Sequence, residues 1–185
     1  MEEIMCWVVQ IIQALRYLHH ERILHRDLKT ANIFLTLTDL IKVGDLGVAA
    51  QLDSSLDMRT TCVGSPYYLS PEVCQDVPYN TRSDMWSLGC CIYELATLRK
   101  AFKGNNLLSV VNKICSCKYE AVDESCPEGV AHLITSLLQV EPNDRPTTVE
   151  LLDQDYVRTY LAVLTHRLEA HQLLYVLFGS SPQLS

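Results

Sequence analysis

His25-Arg26-Asp27-Leu28-Lys29-Thr30-Ala31-Asn32, with Asp45-Leu46-Gly47 beginning thirteen residues after Asn32, is the stretch on which the reading of this chain turns. Between the two phrases lie short apolar runs, Ile33-Phe34-Leu35 and Leu40-Ile41-Lys42-Val43, separated by Thr36 to Asp39. Such runs around a polar turn predict a β-hairpin. The hairpin folds the chain back, so Asn32, just before the first strand, comes to lie beside Asp45, just after the second. Paired strands run ~4.8 Å apart, close enough for both side chains to meet one metal ion.

Outward from this stretch the pattern is helical. Ile4, Val8, Ile11, Leu15 and Leu18 recur at steps of four and three and predict an amphipathic helix ending near His19-His20. Ser83 to Leu98 carries only Asp84 and Glu94 as clear carboxylate charges, so that helix is expected to be buried on most of its circumference. Leu107, Leu108, Val111 and Ile114 suggest another helix. Pro127 opens a further one with Val130, Leu133, Ile134, Leu137 and Leu138 on its apolar side. Thr147-Thr148-Val149-Glu150 has the form of a capping box leading into Leu151-Leu152. The expected fold class is mainly α with one short β-hairpin. It forms one domain over residues 1–155 and a helical extension over 156–185.

In that extension Val157, Leu161, Leu164, Leu168, His171, Tyr175 and Phe178 step by four and three, with Gly179 as the helix stop. Two readings stand side by side: a short coiled coil that makes a homodimer, or a terminal helix packed on its own domain.

The 185 residues are 48% hydrophobic and 20% charged, a balance that supports a buried core and excludes extended disorder. A net charge of −7 disfavours nucleic acid or an anionic membrane as the main partner. No apolar run reaches the ~18 to 20 residues of a membrane span. The eight cysteines include no Cys-x-x-Cys spacing, and Met1-Glu2-Glu3 is acidic where a signal peptide is basic. Reduced thiols in a cytoplasmic or nuclear protein, not a secreted one, are expected.

Phosphoryl transfer asks for metal ions, a positioned nucleophile and cancelled charge. Asp45 is the carboxylate for magnesium, and Asn32 offers an amide oxygen to a second magnesium. Asp27 accepts or orients the proton of the attacking hydroxyl, and Lys29 offsets charge on the transferring group. Any of these residues alone would read as a solvated loop side chain. Their order and spacing carry the reading, by match to a known catalytic signature.

With these residues the chain resembles the C-terminal lobe of the eukaryotic protein kinases, over residues 1 to about 155. The resemblance continues through Gly64-Ser65-Pro66-Tyr67-Tyr68, Ser70-Pro71-Glu72, Asp84-x-Trp86-Ser87-x-Gly89 and Arg145. It implies ATP and Mg2+ as cofactors and protein serine or threonine hydroxyls as substrates, since Lys29-Thr30-Ala31 fits the serine/threonine branch. It further implies that Glu72 pairs with Arg145, that Asp84 braces the catalytic-loop backbone, and that His25 and Leu46 stack. Phe34 would lie under the adenine ring, Lys29 would face the phosphates, and Gly47 and Ser65 would have structural roles. Within the branch, Leu28 to Leu35, Pro66 to Glu72, Pro78-Tyr79-Asn80 and Ser83 to Cys90 are similar to the NIMA-related kinases. Leu46 stands where most kinases have Phe, and Ser65 where Thr is usual.

The resemblance also marks Thr61, four residues before Ser65, as the expected activating phosphorylation site, with Thr60 second. Arg26 would pair with the phosphate. The N-terminal lobe is absent: before residue 25 there is no Gly-rich loop, no phosphate-facing strand lysine and no partner glutamate. The expectation is a piece of a kinase that is active in its complete form. The alternative is an inactive short form that acts as a binding or competitor module. The chain by itself is expected to bind ATP weakly.

Overall fold

The computed structural model describes residues 2–48, 50–51 and 66–178. Helix α1 (Glu2–His20) buries Met5, Val8, Val9, Ile11, Ile12 and Leu15 completely, a wider apolar stripe than steps of three and four alone would require. Gln10 of the same helix is put to use. Gln10 donates from Nε2 to the Asp39 carbonyl at 3.1 Å and accepts from the Ile41 amide at 2.8 Å, pinning the hairpin turn to the helix.

Two antiparallel two-stranded ladders follow α1. Strand β1 (Ile23–Leu24) pairs with β4 (Ala50–Gln51), and β2 (Ile33–Leu35) pairs with β3 (Ile41–Val43). The second ladder is the hairpin expected from sequence, in the register Ile33 to Val43 and Leu35 to Ile41. The first was not expected. Two residues are too short a run to show a period of two.

A short helix α2 (Pro71–Cys74) leads to α3 (Thr81–Thr97), the central element. Asn80 caps α3 by accepting from the Arg82 amide at 2.8 Å, and the Asn80 amide donates to Ser83 Oγ at 3.2 Å. Every residue from Ser83 to Tyr93 is buried, as its composition predicts. Trp86 stacks on Phe102 with centroids 5.3 Å apart.

Helix α4 (Leu107–Cys115) corrects its predicted face. Val110 and Ile114 are the buried pair, while Leu107 and Leu108 are 58% and 68% exposed. The Asn106 cap fixes the helical phase, and Leu107 and Leu108 then fall in the first turn, beyond the reach of the core. Helix α5 (Glu128–Leu137) buries Val130, Leu133, Ile134 and Leu137 against α3, with Leu138 just past its end. Thr147 and Glu150 form the expected capping box at the start of α6 (Thr148–Leu152).

Helix α7 (Asp155–Phe178) lies against α1. Val157 is fully buried and Leu161 and Leu164 pack on the core, so the first half of the predicted seam is occupied within the chain. Arg167 closes the contact with a 2.5 Å ion pair to Glu2. Gly179 lies outside the described residues. Among the described residues no helix is long and apolar enough to cross a membrane, and no disulfide links the seven described cysteines.

Candidate active site

Asp84 is fully buried near the start of α3, and its two oxygens meet four donors. Oδ2 takes the His25 amide at 3.1 Å and lies 2.8 Å from His19 Nε2; Oδ1 takes the Arg26 amide at 3.1 Å and the Tyr79 hydroxyl at 2.7 Å. A carboxylate in apolar surroundings persists only with this many donors. Its position therefore fixes the backbone entering the catalytic loop. The next turn is costly: Arg26 has φ 67°, in the left-handed region that branched and bulky residues avoid.

His25 is likewise fully buried, and its ring joins the two halves of the site. Nδ1 accepts from the Asp27 amide at 3.3 Å, so the ring hydrogen sits on Nε2, which lies 3.2 Å from the Gly44 carbonyl. The loop carrying Asp27 and the loop carrying Asp45 are thereby tied through one side chain.

Asp27, Lys29 and Asn32 meet at a single oxygen. Lys29 Nζ donates to Asp27 Oδ2 at 2.6 Å and Asn32 Nδ2 donates to the same atom at 3.0 Å. Asn32 Nδ2 also donates to the Asp27 carbonyl at 2.9 Å. Both amide hydrogens of Asn32 are thus directed to Asp27, and the remaining function of this buried amide is its oxygen, a hard acceptor. A single 3-10 turn, Thr30–Asn32, closes the spacing between them, with the Asn32 amide on the Lys29 carbonyl at 2.9 Å.

The hairpin returns the backbone to Asn32. Past the last strand pair, the Gly44 amide donates to the Asn32 carbonyl at 2.9 Å, and Asp45 is the next residue along the chain. Asp45 is exposed and also left-handed, with φ 59°. Among the described residues no group of three or more His, Cys, Asp and Glu is placed to hold a metal. An amide oxygen beside an exposed carboxylate nevertheless suits magnesium, which takes few protein ligands and completes its octahedron with water and phosphate.

Phe34 is 53% exposed, and its ring lies over Gly44, where an added Cβ would fall 2.8 Å from Cε2. Leu46 keeps 47% of its surface and is not among the side chains packed on the core, whereas His25 is enclosed. Gly47 sits in the 3-10 turn Leu46–Val48. Thr60, Thr61 and Ser65 lie outside the described residues.

Glu72 and Arg145 are 73 positions apart and meet in a buried bidentate pair with both bonds at 2.8 Å. Arg145 uses all five of its N–H groups, the other three going to the carbonyls of Gln139, Val140 and Arg82. Its guanidinium also lies 5.0 Å from the Trp86 ring centroid. Burial pushes the Glu72 carboxyl up; the bonds from Arg145 and Ser83 and the Arg145 charge outweigh this and leave it below its usual range.

Sequence reasoning did not identify His19 and Tyr79 as partners of Asp84. It also missed a second polar cluster beside the loop, formed by Thr30, Tyr68, Glu94 and Lys100. Glu94 was noticed only as a charge in an otherwise apolar helix, and that charge was the available signal.

The protein kinase domain family model matches residues 1–157. The mouse serine/threonine-protein kinase Nek5 is 41% identical over 177 residues, which cover 92% of the chain and 28% of that protein. Mouse Nek4 is 44% identical over 164 residues, covering 89% and 21%. Human Nek5 is 43% identical over 161 residues, covering 86% and 23%. The chain thus spans less than a third of the length of these relatives.

Proposed function

Because the chain belongs to the protein kinase family and its relatives are Nek serine/threonine kinases, we propose that it carries the catalytic loop and substrate-side lobe of a serine/threonine kinase. The complete enzyme transfers the γ-phosphoryl of ATP to protein serine and threonine hydroxyls. The observation that carries this reading is the convergence of Lys29 and Asn32 on Asp27 Oδ2, with the hairpin returning Gly44, the residue before Asp45, to Asn32.

Asp27 orients the substrate hydroxyl and takes up its proton. With Oδ2 held by Lys29 and Asn32, we assign the substrate hydroxyl to Oδ1. Lys29, 2.6 Å from Asp27, supplies positive charge where the transferring phosphoryl gains negative charge. Asn32 and Asp45 would hold Mg2+, which when bound neutralises the nucleotide phosphates. Phe34, whose ring lies close to Gly44 and is 53% exposed, offers an apolar floor for the adenine. Arg26 would receive a phosphate on Thr61, or on Thr60, and order the segment that carries it.

Asp27→Asn tests the assignment. In the complete enzyme, incorporation of phosphate into a serine/threonine peptide is expected to fall on the order of 10² to 10⁴-fold. Near-normal turnover would remove Asp27 from its role. Thr61→Ala is expected to leave the enzyme in its low-activity state; equal activity to the parent would exclude the switch.

A further inference from the structure

The cluster beside the catalytic loop joins three segments that are distant in sequence. Thr30 lies in the turn between Lys29 and Asn32, Tyr68 in the 3-10 turn Pro66–Tyr68, and Glu94 in the last turn of α3. Tyr68 donates to Glu94 Oε2 at 2.5 Å, and Thr30 Oγ1 lies 3.1 Å from the same oxygen and 2.9 Å from the Tyr68 hydroxyl. Lys100 donates to Glu94 Oε1 at 2.6 Å and also to the Tyr68 hydroxyl, with its ammonium 4.6 Å from the Tyr68 ring centroid.

Lys100 reaches this position because α3 ends sharply. Leu98 takes the left-handed conformation, φ 57°, with its amide on the Glu94 carbonyl at 2.7 Å, and the chain turns back over the last turn. Lys100 also completes the donor set. Tyr68 and Thr30 have one hydroxyl hydrogen each and both reach Glu94 Oε2, while Lys100 is the side-chain donor to Oε1 and to the phenol oxygen. The Glu94 side chain is 21% exposed and the Lys100 side chain 34%, so water screens the pair only in part.

Resting on the kinase reading above, we propose that Lys100 is a positioning residue for phosphoryl transfer. Through Glu94 and Tyr68 it holds Thr30, and with Thr30 the turn that presents both Lys29 and Asn32 to Asp27. It also fastens the Pro66–Tyr68 turn to the loop that carries Asp27, so that turn and the proton acceptor move as one body. Lys100 itself touches none of the reacting atoms.

The test compares Lys100→Met with Lys100→Arg. In Lys100→Met, amide hydrogen exchange at Asn32 and Ile33, whose amides bond to the Lys29 and Thr30 carbonyls, is expected to rise about tenfold, while exchange within α5 stays at its parental rate. Lys100→Arg restores a cation and should keep parental exchange at both places. In peptide phosphorylation, Lys100→Met should lose about tenfold in kcat with an unchanged KM for ATP, and Lys100→Arg should recover most of it. Parental exchange at Asn32 and Ile33 in a folded Lys100→Met protein overturns the proposal. So does a loss spread evenly over the whole domain, which would mean general destabilisation. Turnover that survives Asp27→Asn would instead defeat the kinase reading, and the exchange measurement would still decide the tether.

Discussion

Replacing Arg145 by Met would leave Glu72 buried and ionised, with Ser83, at 2.6 Å, as its remaining side-chain donor. Removing one partner of a buried pair typically costs about 3 to 5 kcal/mol, and a loss of that size is expected in urea denaturation. Adding Glu72→Leu should recover part of it. Recovery stays incomplete because the carbonyls of Gln139, Val140 and Arg82 still lack their donor. The pair also sets an acid limit. A carboxyl depressed in the folded state adds stability above its unfolded value, near 4.5, and loses it as pH falls through the folded one. The parent's urea midpoint should therefore drop more steeply below about pH 4.5 than that of Glu72→Gln. Asp27, Asn32 and Asp45 were readable from sequence because their relation is local, one turn and one hairpin. The resemblance supplied Glu72 with Arg145. Neither route gave His19 with Asp84, or Glu94 with Lys100 and Thr30, because packing of distant elements creates those contacts.

At the scale of elements, α3 approaches α5 closely at Gly89. A Cβ there would lie 2.8 Å from the Leu137 Cβ and 2.9 Å from Leu138 Cδ2. Gly89→Ala gains about 1 kcal/mol of helix preference. Against that stands overpacking of about 1 to 3 kcal/mol. The opposing atom is itself a Cβ, fixed to backbone, so overpacking should win; thermal unfolding is expected to show a net loss of roughly 1 kcal/mol. The same scale explains where periodicity misled. Leu107, Leu108, Val111 and Ile114 form a plausible stripe, but apolar residues alone do not fix the phase of a nine-residue helix. The cap and the neighbouring core do, and they choose Val110 and Ile114. The strands β1 and β4 escaped for a related reason, since pairing over two residues is decided by where the loops run.

For the whole molecule, α7 is a structural part of the domain in its first half. Ending the chain after Gln154 would uncover the core where Val157, Leu161 and Leu164 pack, and would remove Tyr156 from its seat on Gly129. A loss of about 3 to 6 kcal/mol is expected from the buried area, measurable as a lowered urea midpoint. A dimer built on the same seam would have to strip those residues from α1 first, so any self-association of the native chain should leave Val157 protected from hydrogen exchange. The Arg167 to Glu2 bond adds little energy, since both side chains are about half exposed. It serves better as a ruler. Residue 2 and residue 167 are 165 positions apart yet touch across the surface. A fluorophore at one and a contact quencher at the other would give an optical signal that brightens when α7 lifts from α1, and it would report that motion without altering a single residue of the catalytic loop.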